Sequence, residues 1–339
     1  MIKLSVLDQS PISDGSTAVE AFSHTVTLAQ EVEKLGFTRF WVSEHHNSVS
    51  LAGSSPEILI SHIAAKTEHI RVGSGGVMLP HYSPYKVAEN FRVLEALYPN
   101  RIDLGVGRAP GGMPIATRAL QEGKMVSLDQ YPEQIADVAM YLHDQVPENH
   151  HYANLKATPV ITTSPEMWML GSSGESAKIA ANNGTSFAFA QFINGFGGPE
   201  VMRSYQEQFQ PSFLGDKPKS IVAIFVICGE TNEEAEKIAS SLDLSILLLE
   251  QGKRTTGTPS IETAQNYSYS AYDLFRIKEN RERMIVGDPS YVKEKIVNLS
   301  KAYNTDEFMI VTITHRFEDK LNSYRLLANA FNLSRINGQ

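Results

Sequence analysis

Four stretches of this chain concentrate residues that can do chemistry. The first is Ser43-Glu44-His45-His46-Asn47, two adjacent histidines behind a carboxylate. Histidine titrates near neutral pH, so one of them can act as a general acid or base. The plain alternative is one packed ring and one surface ring. Zinc is a third reading, yet no His-x-His or His-Glu-x-x-His spacing supplies further ligands. The second stretch is Gly73-Ser74-Gly75-Gly76-Val77-Met78-Leu79-Pro80-His81. Paired glycines in an apolar run mark a bulge, a tight corner, or a flat group pressed on the backbone. The third is Asp103-Leu104-Gly105-Val106-Gly107-Arg108. Its arginine either meets an anion or closes a salt bridge at a rim. The fourth is Gly171-Ser172-Ser173-Gly174-Glu175-Ser176, running directly into a helical pattern. Backbone N–H groups and hydroxyls gathered at a helix start suit a phosphate. Capping by Ser173 alone explains one serine and not the cluster. The string is neither a Walker A loop nor G-x-G-x-x-G. Asp8, ending the first apolar run, is either a base or a structural ion partner.

These stretches need elements to hold them. Short apolar, β-branched runs recur at 3–7, 38–43, 70–76, 101–106, 166–171, 186–190, 221–227 and 307–313, which makes eight strands. Ile221-Val222-Ala223-Ile224-Phe225-Val226-Ile227 is apolar on both faces, as parallel strands covered on both sides are. Helical periodicity fills 17–36, 56–67, 84–98, 130–142, 174–183, 199–209, 231–249, 289–302 and 317–331. Ser55-Pro56, Ser83-Pro84 and Asp288-Pro289 each set a capping residue before a proline. Thr231 with Glu234 reads as a capping box. Strand-then-helix units in this number predict a closed (β/α)8 TIM barrel, one domain over 1–339. Its active site belongs at the C-terminal strand ends, where the four stretches fall. One segment, 250–285, fits no unit; polar and rich in tyrosine, it is expected to be an inserted mobile lid.

Composition narrows the class. The 339 residues are 42% hydrophobic and 20% charged, which excludes a disordered or fibrous chain. Thirty basic against 38 acidic residues give a formal charge of −8, with no Lys/Arg cluster, so no nucleic-acid partner is expected. The single cysteine, Cys228, excludes an internal disulfide framework and a cysteine-based zinc site. No apolar run is long enough to cross a membrane, and Asp8 interrupts the short N-terminal one. The expected location is the cytoplasm.

In order and spacing, Glu44-His45-His46, Gly73 to Pro80, Gly105-Val106-Gly107-Arg108 and Gly171 to Ser176 resemble the bacterial luciferase-like flavin-dependent monooxygenases. Gly287-Asp288-Pro289-Ser290-Tyr291-Val292 and Ser323-Tyr324-Arg325-Leu326-Leu327-Ala328 extend the resemblance over nearly the whole chain. It implies FMN at the C-terminal face of the barrel. His45 then matches the family's active-site histidine beside the flavin. Gly75-Gly76 match a cis peptide under the ring, and Arg108 matches a phosphate-binding arginine. Ser172, Ser173, Gly174 and Ser176 form the matching phosphate loop, and 250–285 the mobile lid. The implied reaction takes reduced FMN from a separate flavin reductase, because the chain lacks a nicotinamide fingerprint. With O2 it forms a peroxyflavin that oxidises a small organic substrate, in a homodimer without a metal. Many relatives carry a histidine where this chain has Ala190-Gln191-Phe192, so contacts to substrate differ there. Other readings stay open: hydride transfer with a deazaflavin coenzyme, a non-catalytic flavin-binding barrel, or a metal-dependent hydrolase using Asp8, His45, His46 and His81.

Overall fold

A computed structural model describes residues 2–123, 128–253 and 255–334. The chain begins β1 (Lys3–Asp8), α1 (Ala18–Lys34), β2 (Arg39–Val42), α2 (Pro56–Ala64), β3 (Arg71–Ser74), β4 (Val77–Met78) and α3 (Pro84–Leu97). It continues β5 (Ile102–Gly107), α4 (Pro114–Leu120), α5 (Tyr131–Leu142), β6 (Glu166–Gly171), α6 (Gly174–Asn183), β7 (Ser186–Ala190) and α7 (Gly198–Gln208). Then come β8 (Ser220–Cys228), α8 (Asn232–Glu250), α9 (Ile261–Asn266), α10 (Ala271–Arg281), β9 (Met284–Gly287), α11 (Pro289–Tyr303), β10 (Glu307–Val311) and α12 (Phe317–Ala330). All strand pairings in the sheet are parallel, and β10 joins both β1 and β8. That closes a ring of eight strand positions, with β3 and β4 sharing one of them beside β5. The chain folds as the (β/α)8 barrel that its units predict.

Side chains alternate across each strand, so the barrel has two cores. Leu4, Val6, Phe40, Val42 and Val72 face the helices. Leu7, Trp41, Trp168, Ile221, Phe225 and Met309 face the interior. β8 is buried from Ile221 to Cys228, as a strand covered on both sides must be. Cys228 is buried and free.

The interior has a charged lower layer. Arg39 donates to Asp103 at 2.8 Å, Glu166 at 2.9 Å and Glu307 at 2.8 Å. Arg71 adds a 2.6 Å contact to Asp103. Burial disfavours the Arg39 charge, but its carboxylate neighbours outweigh burial and keep it protonated. Trp41 caps this layer by donating to Asp103 at 2.8 Å, with Trp168 edge-on at 5.6 Å.

One expectation needs correction, and other elements add to what the sequence announced. Thr231 does cap α8, but Glu234 reaches back to the Glu230 N–H, so the box is not closed on Thr231 itself. The short α4 and the strands β4 and β9 went unanticipated. The segment 250–285, expected as an inserted lid, holds α9 and α10 and leads into β9, which pairs with β8. Arg281 grips Asp243 at 2.6 Å, Arg276 grips Glu250 at 3.0 Å, and Thr258 bonds the backbone of Ile12. These contacts fasten it to α8 and to the loop after β1.

Candidate active site

The strand ends surround a cavity of about 540 Å3 at the C-terminal face. Its size lies in the range of pockets that hold a cofactor. Leu7, Trp41, Leu170, Ala188, Ala223 and Met309 form an apolar floor just above the charged layer. The expected residues Gly75, Gly76, His45, Arg108, Ser172, Ser173 and Ser176 all border this one cavity. Gly174 does not, and a side-chain carbon built on it would meet nothing within 4 Å. No described residue of 250–285 borders the cavity either.

The Gly75–Gly76 peptide is cis. A Cβ on Gly75 would lie 2.7 Å from Leu7 Cδ1, and one on Gly76 would lie 2.7 Å from the Gly105 carbonyl oxygen. At Gly76 the obstacle is backbone of the adjoining strand, so packing there demands glycine; at Gly75 the nearest atom is a leucine methyl that a shift could move. The same bare backbone leaves a flat wall along the cavity.

His45 is held by its backbone N–H, which donates to Gly53 O at 2.8 Å, and by Ser43 Oγ, 3.0 Å from Nδ1. Burial, reinforced by His46, pushes its imidazole down to about 4. At neutral pH His45 is therefore uncharged, with one ring nitrogen donating and one accepting. His46 turns the other way and contacts Glu44 at 2.6 Å. The buried Glu44 also accepts from Tyr82 Oη at 2.7 Å and from the Met78 N–H at 2.9 Å. Its carboxylate thus ties the end of β2 to β4. Sequence reading noticed Glu44 only as a neighbour of the histidines; its two other partners lie more than thirty residues away.

Asp8 is structural. It accepts from Thr25 at 2.6 Å and pairs with buried Lys320. His81 contacts the Pro110 carbonyl at 2.8 Å. The four residues of the hydrolase reading are thus spread over separate contacts, and among the described residues no three ligand side chains gather to hold a metal.

The anion end of the cavity is built on α6. Ser173 caps the helix and Ser176 reciprocates, a capping box across its first turn. The first N–H groups of any helix lack carbonyl partners, and its dipole favours negative charge there. Arg108 projects from the end of β5 and pairs with Glu175 at 2.9 Å.

The chain belongs to the luciferase-like monooxygenases, whose family model matches residues 2–305. It is 60% identical over 331 residues to the uncharacterised protein YwcH of Bacillus subtilis (strain 168), covering 98% of this chain and 99% of that one. It is 41% identical to the N-acetyl-S-alkylcysteine monooxygenase of the same organism, covering 97% and 98%. The crystal structure of apo-MsnO8 superposes with a TM-score of 0.88 at 35% identity, covering 99% of this chain and all of that one. No described helix is long and apolar enough to cross a membrane.

Proposed function

We propose that the chain is an FMN-dependent monooxygenase, taking reduced FMN from a separate flavin reductase and oxidising a small organic substrate with O2. One observation carries this reading. A flat, apolar cavity has an arginine, two serine hydroxyls and a helix N-terminus at one end, and a half-buried neutral histidine in its wall. That donor set fits a terminal phosphate. The bare Gly75–Gly76 backbone and the Leu7, Trp41 and Leu170 side chains fit a planar ring. When bound, reduced FMN would supply the electrons that activate O2.

The protein's share is positioning. Arg108, Ser173 and Ser176 would hold the phosphate; Gly75 and Gly76 would support the ring. His45, neutral at working pH, would donate one hydrogen bond and take up a proton at its other nitrogen. The apolar floor keeps water from the reacting edge. The 41% identical relative makes thioethers the first substrates to try. A second copy of the chain as a partner belongs to the same reading.

Flavin fluorescence quenching tests the reading. FMN, oxidised and reduced, should bind well and riboflavin weakly. Arg108→Ala should weaken FMN by about 10- to 100-fold, the worth of a charged hydrogen bond to phosphate, and leave riboflavin unchanged. Ser176→Ala should do the same by a smaller factor. Binding of a deazaflavin coenzyme in preference to every form of FMN would replace this reading with hydride transfer. His45→Ala should retain FMN and lose about 100-fold or more in substrate turnover.

A further inference from the structure

Arg108 already holds an anion. Its Nη1 lies 2.9 Å from Glu175 Oε2, and Glu175 stands in the first turn of α6, between Ser173 and Ser176. A carboxylate and a phosphate ask for the same donors: a guanidinium fork and the positive end of a helix. Both anions cannot occupy Arg108 without close like-charge contact. The Glu175 side chain is 64% exposed, against 36% for Arg108. It can therefore swing into water at little cost, as exposed ion pairs are weak.

We propose that Glu175 is a built-in surrogate for the cofactor phosphate: it occupies Arg108 when the site is empty and is displaced as the phosphate arrives. This rests on the FMN reading above. Arrival then exchanges one anion for another, and Arg108 is never left as a bare cation at the mouth. Departure of the phosphate is assisted by the returning carboxylate. Glu175 thereby tunes the site for a flavin that comes and goes, as delivery from a separate reductase requires. It is a positioning residue that acts through Arg108.

The test is a binding cycle on the full chain with FMN and riboflavin as probes. Glu175→Gln should tighten FMN by about 2- to 5-fold, the range set by losing one exposed competing charge, and leave riboflavin unchanged. The gain should appear mainly as slower FMN dissociation in stopped-flow fluorescence. FMN binding to the variant should also weaken more steeply with added salt, because Arg108 then starts unpaired. In an Arg108→Ala background the same substitution should change FMN affinity by less than about 2-fold, since the competition is gone. Weaker or unchanged FMN binding in Glu175→Gln overturns the proposal. So does an equal gain without Arg108, which would mean simple repulsion. If the unaltered protein binds riboflavin as tightly as FMN, the phosphate site itself fails, and this is seen before any variant is made. Thermal unfolding of each variant separates a lost fold from a lost contact.

Discussion

His45 shows how burial changes what a residue can do. A free histidine gains its proton near pH 6.5, and this one waits until about 4. Between those values the unfolded chain binds more protons than the folded one. Stability is therefore complete above about pH 6.5 and falls as the pH drops toward 4. Replacing His45 by Asn should flatten urea-measured stability across that window. NMR titration of the imidazole should give a midpoint well under 6; a midpoint at or above 6.5 would refute the burial argument. In the sequence, the pair His45-His46 was legible as chemistry, and alternation along a strand end sends two adjacent side chains to opposite sides. The choice between them depends on Glu44, which claims His46 through a contact of 2.6 Å. Glu175 was legible only as one letter of a phosphate-loop string. That it reaches Arg108, sixty-seven positions back, depends on β5 and β6 lying side by side.

At the scale of elements, the strands and helices that carry the site announced themselves by apolar runs and capping residues. What stayed hidden were pieces too short for periodicity to show, such as the two residues of β4 and the four of β9. The segment 250–285 showed no helical signal because its helices are polar and bury few residues, with only Ala264 buried in α9. The glycines divide by neighbour. Gly76→Ala would place a carbon 2.7 Å from the Gly105 carbonyl oxygen, a backbone atom of the adjoining strand. It should cost about 1–3 kcal/mol in urea unfolding. Gly174→Ala at the start of α6 meets open space and should stabilise by about 0.5 kcal/mol. Equal losses at both positions would show that loop flexibility, not strand packing, sets the requirement.

For the whole molecule, the charged layer under the cavity couples fold to pH. Burial would raise the Glu166 carboxyl, but Arg39 and Arg71 hold it down to about 2. A carboxyl depressed from 4.5 contributes stability above that value and loses it as the pH falls through about 2. Glu166→Gln should therefore remove part of the acid sensitivity in that range. Arg39→Leu leaves Asp103 and Glu307 buried with too little positive charge and should cost about 3 kcal/mol or more at neutral pH. Both follow from urea titrations at a series of pH values. The layer fills the N-terminal half of the barrel, below the floor of the cavity.

Strand β8 holds one more property of the whole. Its first part, Val222 to Phe225, pairs with β10 and closes the ring, while its last part, Phe225 to Cys228, pairs with β9. The excursion between α8 and β9 thus leaves from and returns to a single stave of the barrel. Changing its length alters a loop whose closure entropy grows only logarithmically, and no hoop of the ring is cut. Arg283, at its end, bonds the Ile193 carbonyl at 3.0 Å, beside the cavity mouth. Descent with modification can therefore remodel the doorway of this enzyme through an appendage, while the vessel behind it keeps its shape.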